Sequence, residues 1–240
     1  MKLGNLVVAF AAVLALVAGS TVMSGAPYWA FTAAVTVVAL ALTFALYVRR
    51  ARAWLIETYD LVRAARLSDA QARLEKELAG QPRYARAVLD LLAAELAFWR
   101  GELEPSLLLA KALELKALPP LWHSGVHSLV VVANVFTGRV EEARRVLYGN
   151  EESLRERPGF HELEALVELR AGNALKARER LASTTEKEPR PRLARAAVAL
   201  LEAEIAIALG EPPEKHVAEA VELGGDSFVP EAARKLLRSR

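Results

Sequence analysis

Cysteine is absent from all 240 residues, which excludes disulfides, thiolate metal sites and cysteine nucleophiles and leaves the redox compartment open. Histidine occurs only four times, and few residues fall into motif-like groups, so no catalytic activity is expected. Charge is missing from one region altogether. After Lys2 the next charged residue is Arg49, and residues 3–48 hold no Asp, Glu, Lys, Arg or His. All 29 acidic residues, and all but one of the 31 basic ones, therefore fall in 49–240. That part is close to charge balance and lacks the electrostatic footprint of a nucleic-acid binder, so no nucleic-acid partner is expected.

What fills the charge-free region is apolar. One run covers Leu3–Met23 and a second Tyr28–Val48, with the turn signal Ser24-Gly25-Ala26-Pro27 between them. Each run has the ~20 residues that a helix rising ~1.5 Å per residue needs to cross a ~30 Å hydrocarbon core. Tyr28, Trp29 and Tyr47 stand where interfacial aromatics belong. The expectation is a transmembrane helical hairpin over residues 1–50, in contact with the lipid bilayer. Lys2 lies on one side and Arg49, Arg50 and Arg52 follow the second run, where they would fix topology and meet lipid headgroups. Both termini would then be cytoplasmic, in a multi-pass protein of the inner membrane. Two other readings stand beside this one. The basic start and the small residues Ala18-Gly19-Ser20 also suit a cleaved signal peptide, and apolar runs can be buried core helices.

From Arg49 onward Ala, Leu, Glu and Arg dominate, punctuated by Gly and Pro, with no alternating strand pattern. A helix-ending position recurs at Ala65, Gly101, Gly138, Gly172 and Gly210, with spacings of 36, 37, 34 and 38 residues. This is a degenerate period near ~34 residues, the length of a helix–turn–helix repeat. Around those positions the fourth unit has Ala165, Gly172, Ala177, Leu181 and Pro189, and the first has Trp54, Ala65, Ala70, Leu74 and Pro82. The second has Ala94 and Gly101, but Ser106 where Ala is usual and Pro119 one place late. The third has Val131, Gly138, Ala143 and Leu147, and the fifth has Ala203 and Gly210 before departing at Pro212-Pro213. The pattern resembles the tetratricopeptide repeat (TPR) over about 54–224.

The resemblance implies an all-α chain: the N-terminal hairpin, then a TPR-like α-solenoid of about five degenerate repeats over 51–240. Pro230 and the stretch Glu231–Arg238 read as a terminal capping helix. No Pro or Gly occurs between Tyr28 and Gly80, so the second apolar helix is expected to continue into the first repeat helix. The break is expected at Leu67-Ser68-Asp69, with Ser68 as the cap of the next helix.

Candidate chemistry is thin. His123 and His127 share a helix face at i, i+4, but no third ligand accompanies them and the Glu of a zinc-protease helix is missing, so no metal is expected. Ser124 and His127 lack an orienting acid. Leu223-Gly224-Gly225-Asp226 lacks the phosphate-loop frame, and Arg190, Arg192 and Arg195 read as a solvated loop. No cofactor and no small-molecule substrate are expected.

The TPR resemblance implies a concave face lined by the first helix of each pair. By position that face would hold Tyr59, Arg63, Glu95, Phe98, Trp99, Val132, Phe136, Leu166, Arg170, Glu204 and Ile207. This set suits an apolar or amphipathic helix of a partner protein, with Phe98 and Trp99 as anchors. The expected function is a membrane-anchored scaffold that binds protein partners, subunits of a membrane complex, and supports their assembly. In layout it resembles membrane-anchored TPR proteins associated with haem biosynthesis and envelope assembly. The alternative is an accessory subunit of a transporter or secretion machine, with its interface on the hairpin, where Gly4, Gly19 and Ser20 would allow close helix contact.

Overall fold

The computed structural model describes residues 26–78, 83–156, 159–184 and 190–238, together with Ala12. It is helical throughout, and no strand occurs among the described residues. The chain divides into two compact units, Met1–Glu57 and Thr58–Arg240.

Helix α1, Ala26–Arg63, supplies the described backbone of the first unit and enters the second with its last residues. Ala26 and Pro27, expected in a turn, lie instead in the first turn of α1, where proline's fixed φ and missing N–H are tolerated. Among the described residues no helix is long and apolar enough to cross a membrane. This overturns the expected transmembrane hairpin and the multi-pass inner-membrane placement derived from it. Arg49 is exposed on α1. Apart from Ala12, the run Leu3–Met23, with Gly4, Gly19 and Ser20, lies outside the described residues, as do the side chains of Arg50 and Arg52.

The second unit is a succession of helical hairpins. After the end of α1 come α2 (Leu67–Leu78), α3 (Arg83–Trp99) and α4 (Leu103–Ala112). A connection with two short 3-10 turns leads to α5 (His123–Phe136), α6 (Val140–Gly149) and the short α7 (Glu151–Arg155). Then follow α8 (Phe160–Arg170), α9 (Ala174–Ala182), α10 (Arg192–Ala208), α11 (Glu214–Leu223) and α12 (Val229–Arg238). The pairs α3/α4, α5/α6, α8/α9 and α10/α11 make the most extensive contacts in the unit. The first helices α3, α5, α8 and α10 also touch one another in order, which is the stacking of an α-solenoid.

All five hairpins turn through the same backbone device. Ala65, Gly101, Gly138, Gly172 and Gly210 are left-handed, with φ between 58° and 84°. At each, the N–H of the left-handed residue donates to the carbonyl three back, and the next N–H donates to the carbonyl five back, at 2.8–3.1 Å. This double bond satisfies the last carbonyls of the first helix and redirects the chain into the second. Small residues then let the pair close up. Ala94, Ala165 and Ala203 on the first helices, and Ala70, Ala143 and Ala177 on the second, are wholly buried. Two departures from the small-residue pattern have local explanations. Ser106 is buried, but its Oγ donates to the Ala94 carbonyl at 2.8 Å, so the hydroxyl is satisfied inside the hairpin. Val131 is buried in the cluster around Leu147, Leu154 and Phe160.

The loop between α11 and α12 runs back to the first hairpin. Asp226 N–H donates to the Ala65 carbonyl at 3.2 Å, and Phe228 N–H donates to the Trp99 carbonyl at 2.8 Å. The Asp226 carboxylate accepts from the N–H of Leu67 (2.7 Å), the N–H of Ser68 (2.8 Å) and the Ser68 hydroxyl (2.7 Å). Helix α2 is therefore capped by Asp226, and the expected cap, Ser68, serves as a donor to it. The helix begins at Leu67, so Ser68 lies within its first turn rather than before it, and the capping group comes from far along the chain. Gly225 makes this approach possible, since a Cβ there would lie 2.3 Å from the Ala65 carbonyl oxygen.

Two glycine substitutions separate turn strain from loop docking. Gly172→Ala meets open space and should cost roughly 1 kcal/mol, the strain of a left-handed Ala. Gly225→Ala adds the clash with Ala65 and should cost at least about twice that. Chemical denaturation of both variants measures the difference, and equal losses would show that the loop is not seated on Ala65.

Candidate functional site

The first helices share one inner face, and that face lines a partly open cavity of about 410 Å³ within the second unit. Every first helix contributes to its wall: Tyr59 and Val62 from α1, Phe98 and Trp99 from α3, Leu129 and Val132 from α5, Leu163 and Leu166 from α8, and Val198 and Leu201 from α10. No second helix of a hairpin reaches it. The helical repeat accounts for this selection, because residues three and four apart line one stripe of each first helix.

Of the residues expected on a concave face, Tyr59, Arg63, Glu95, Phe98, Trp99, Val132, Phe136, Leu166 and Glu204 all line this cavity. Arg170 lies at its margin, with its guanidinium 5.6 Å from the centre of the Phe136 ring and donating to Glu204 Oε1 at 2.8 Å. Ile207 does not line it, because the lining stretch of α10 ends at Glu204, about one turn earlier.

One end of the wall is aromatic. Phe98 packs edge-on against Trp99, Phe136 and Phe228, with ring centres 5.1, 5.7 and 5.6 Å away. Phe228 also stacks on Trp99 at 6.3 Å and meets Phe136 edge-on at 5.5 Å. These spacings and tilts are those that aromatic quadrupoles favour. Phe98 is buried in the wall, whereas Trp99, Phe136 and Phe228 remain half-buried. Phe228 is the member that sequence reasoning missed. It lies outside the repeated units, and its only local signal was the Gly224-Gly225 pair before it, which permits close backbone approach without saying to what.

Two of the carboxylates at the cavity, Glu162 and Glu204, are paired with cations. Glu162 accepts from Arg190 at 2.6 Å, and Glu204 from Arg170 as above. The remaining exposed surface of the wall is mainly apolar, which suits desolvation of an apolar partner rather than acid–base chemistry. Arg192 donates to the carbonyls of Glu222 and Leu223, and Arg195 to Glu219, so the basic group around Pro191 is spent on the fold.

His123 is also structural in its contacts. His123 Nε2 donates to the Leu115 carbonyl at 2.8 Å and lies 3.1 Å from that of Leu118, tying down the connection before α5. Burial, with His123 nearby, lowers the pKa of His127. Among the described residues no group of three or more His, Cys, Asp or Glu is placed to hold a metal ion.

The most buried carboxylate, Glu168, lies off the cavity on the opposite side of α8 from Leu166. It accepts from Lys176 Nζ at 2.6 Å, Asn173 Nδ2 at 2.9 Å and the Tyr148 hydroxyl at 3.4 Å, with Arg144 at 3.8 Å. Burial pushes its carboxyl upward, but the hydrogen bonds from Lys176 and Asn173 outweigh that and hold it below the ordinary range. Tyr148 is pushed up, first by burial and then by the charges of Glu168 and Glu164.

No family model matches this chain, and no curated protein or solved structure matches it either.

The depressed Glu168 carboxyl fixes the sign of a pH effect. A group held below its unfolded value stabilises the fold above that value, and the contribution is lost as pH falls through the folded-state value. Glu168→Gln should cost roughly 1–3 kcal/mol near neutral pH, from the loss of charge-assisted hydrogen bonds. Denaturant unfolding of both proteins between pH 7 and acid should show the gap narrowing below about pH 4. A gap independent of pH would contradict this account.

Proposed function

We propose that the second unit is a TPR-like adaptor that receives an amphipathic helix of a partner protein in this cavity and, through it, supports assembly of a protein complex. The observation behind this reading is that the first helices of all five hairpins converge on a single apolar cavity with an aromatic end. A helix fits because its apolar stripe, at spacings of three and four residues, matches a wall built from helical stripes of the same period. Trp99 is the anchor on this side, being half-buried, aromatic and on the lining, whereas Phe98 supports it from within the wall. Glu162 and Glu204 are already ion-paired, so they add little net charge for a partner to balance. The role is binding rather than catalysis.

A photo-crosslinking residue at Val132, compared with one at the exposed Leu175 of α9, tests this in the native cell. Adducts should form with one protein at Val132 and not at Leu175. Binding of that protein's helix should then fall roughly 30-fold in Trp99→Ala, as expected for loss of an aromatic hot spot worth ~2 kcal/mol. Val198→Phe, which fills part of the cavity without adding a polar group, should weaken it as well. Equal crosslinking at both positions, or full affinity in the folded variants, would sink the reading.

A further inference from the structure

We infer that Gly225–Phe228 is a releasable latch: Phe228 occupies, from within the chain, the aromatic subsite that a partner side chain would take, and Asp226 holds it there. The inference rests on the partner-binding reading of the cavity and concerns how that site is opened.

Three features separate this loop from an ordinary connection. First, its side chain completes the binding surface. Phe228 lines the cavity and touches Phe98, Trp99 and Phe136, so its departure would free ring faces and edges at the aromatic end. Second, the outer part of the hold is polar and lies at the surface. Gly225, Asp226 and Ser68 are exposed, and the Asp226 carboxylate accepts there from the N–H groups of Leu67 and Ser68 and from the Ser68 hydroxyl. Water can replace partners of that kind. The inner part is the ring contacts of Phe228, which an incoming aromatic side chain would replace in kind, while the buried Ser227 hydroxyl bonds locally, to the Gly224 carbonyl at 2.6 Å.

Third, the loop is fixed on both sides by buried residues that need not move. Gly224 is buried before it, and after it Val229 and Ala233 pack against Ala196, Ala199, Leu200 and Val217. Release is thus confined to four residues between two firm ends, with Gly224 and Gly225 supplying backbone freedom at the near end. A partner that inserts an aromatic side chain beside Trp99 competes directly with Phe228.

The chain has no cysteine, so one introduced thiol reports access to the cavity. Val132→Cys places it on the lining, and Leu175→Cys serves as an exposed control. Thiol labelling of the full chain carrying Val132→Cys should accelerate about tenfold or more when Asp226→Ala is added, the factor that loss of one charge-assisted hydrogen bond gives an opening equilibrium, and should accelerate as well in Phe228→Ala, which takes the ring out of the subsite. Labelling at Leu175→Cys should not change. Fast labelling that is equal with and without the loop substitutions would overturn the latch and leave the partner-binding cavity standing. Labelling no faster than global unfolding in every background would overturn both.

Should Phe228→Ala fail to fold, amide exchange in the unaltered chain decides the matter. Opening of the latch requires the amides of Leu67, Ser68 and Phe228 to exchange together, faster than those in the middle of α5. Exchange of these amides only through global unfolding would overturn it.

Discussion

Five left-handed turns are the constraint on which the rest of this structure depends. Each closes a helix with the same pair of hydrogen bonds around a left-handed residue and sends the chain into a second helix. Because the device recurs, the first helices fall on one side and the second helices on the other. The cavity is a consequence: of each hairpin's two helices only the first lines its wall, because only the first helices share the inner side. Four of the turns use glycine, for which a positive φ costs little. The fifth uses Ala65, which accepts left-handed strain while Gly225 lies against it.

Burial of small residues converts these turns into close hairpins. The wholly buried alanines occupy corresponding places in the units, and the larger core residues fill the layers between hairpins. Ser106 shows how narrow the tolerance is. A hydroxyl is admitted at an alanine position only because a main-chain carbonyl lies 2.8 Å away to accept its proton. The buried carboxylates obey the same rule. Glu168 and Glu164 sit inside the unit because cations and amide donors from neighbouring helices reach them.

The aromatic end differs in kind, because it depends on a segment outside the repeats. Phe98, Trp99 and Phe136 come from two neighbouring hairpins, and Phe228 joins them from the loop before the capping helix. The same loop caps α2 through Asp226. A single excursion of the chain thus ties the last hairpin to the first and completes the wall of the cavity.

The helix-ending positions were legible in the sequence because a left-handed turn demands a particular residue locally, and glycine records that demand at Gly101, Gly138, Gly172 and Gly210. Helical periodicity likewise identified most of the cavity wall, since the stripe on a first helix follows from spacing alone. The apolar run Tyr28–Val48 was misleading in another way. Composition and length alone suggested a membrane span, and no helix among the described residues meets that requirement. What no local pattern contained was the docking of Asp226 and Phe228. Their partners lie roughly 130–160 residues away, and nothing near either residue encodes such a contact. The sequence by itself determined the repeat, its turns and its inner stripe, because each is fixed by interactions within a few residues. Only the tertiary structure decided how the last loop closes on the first hairpin, because that contact arises from the accumulated stacking of all the units between them.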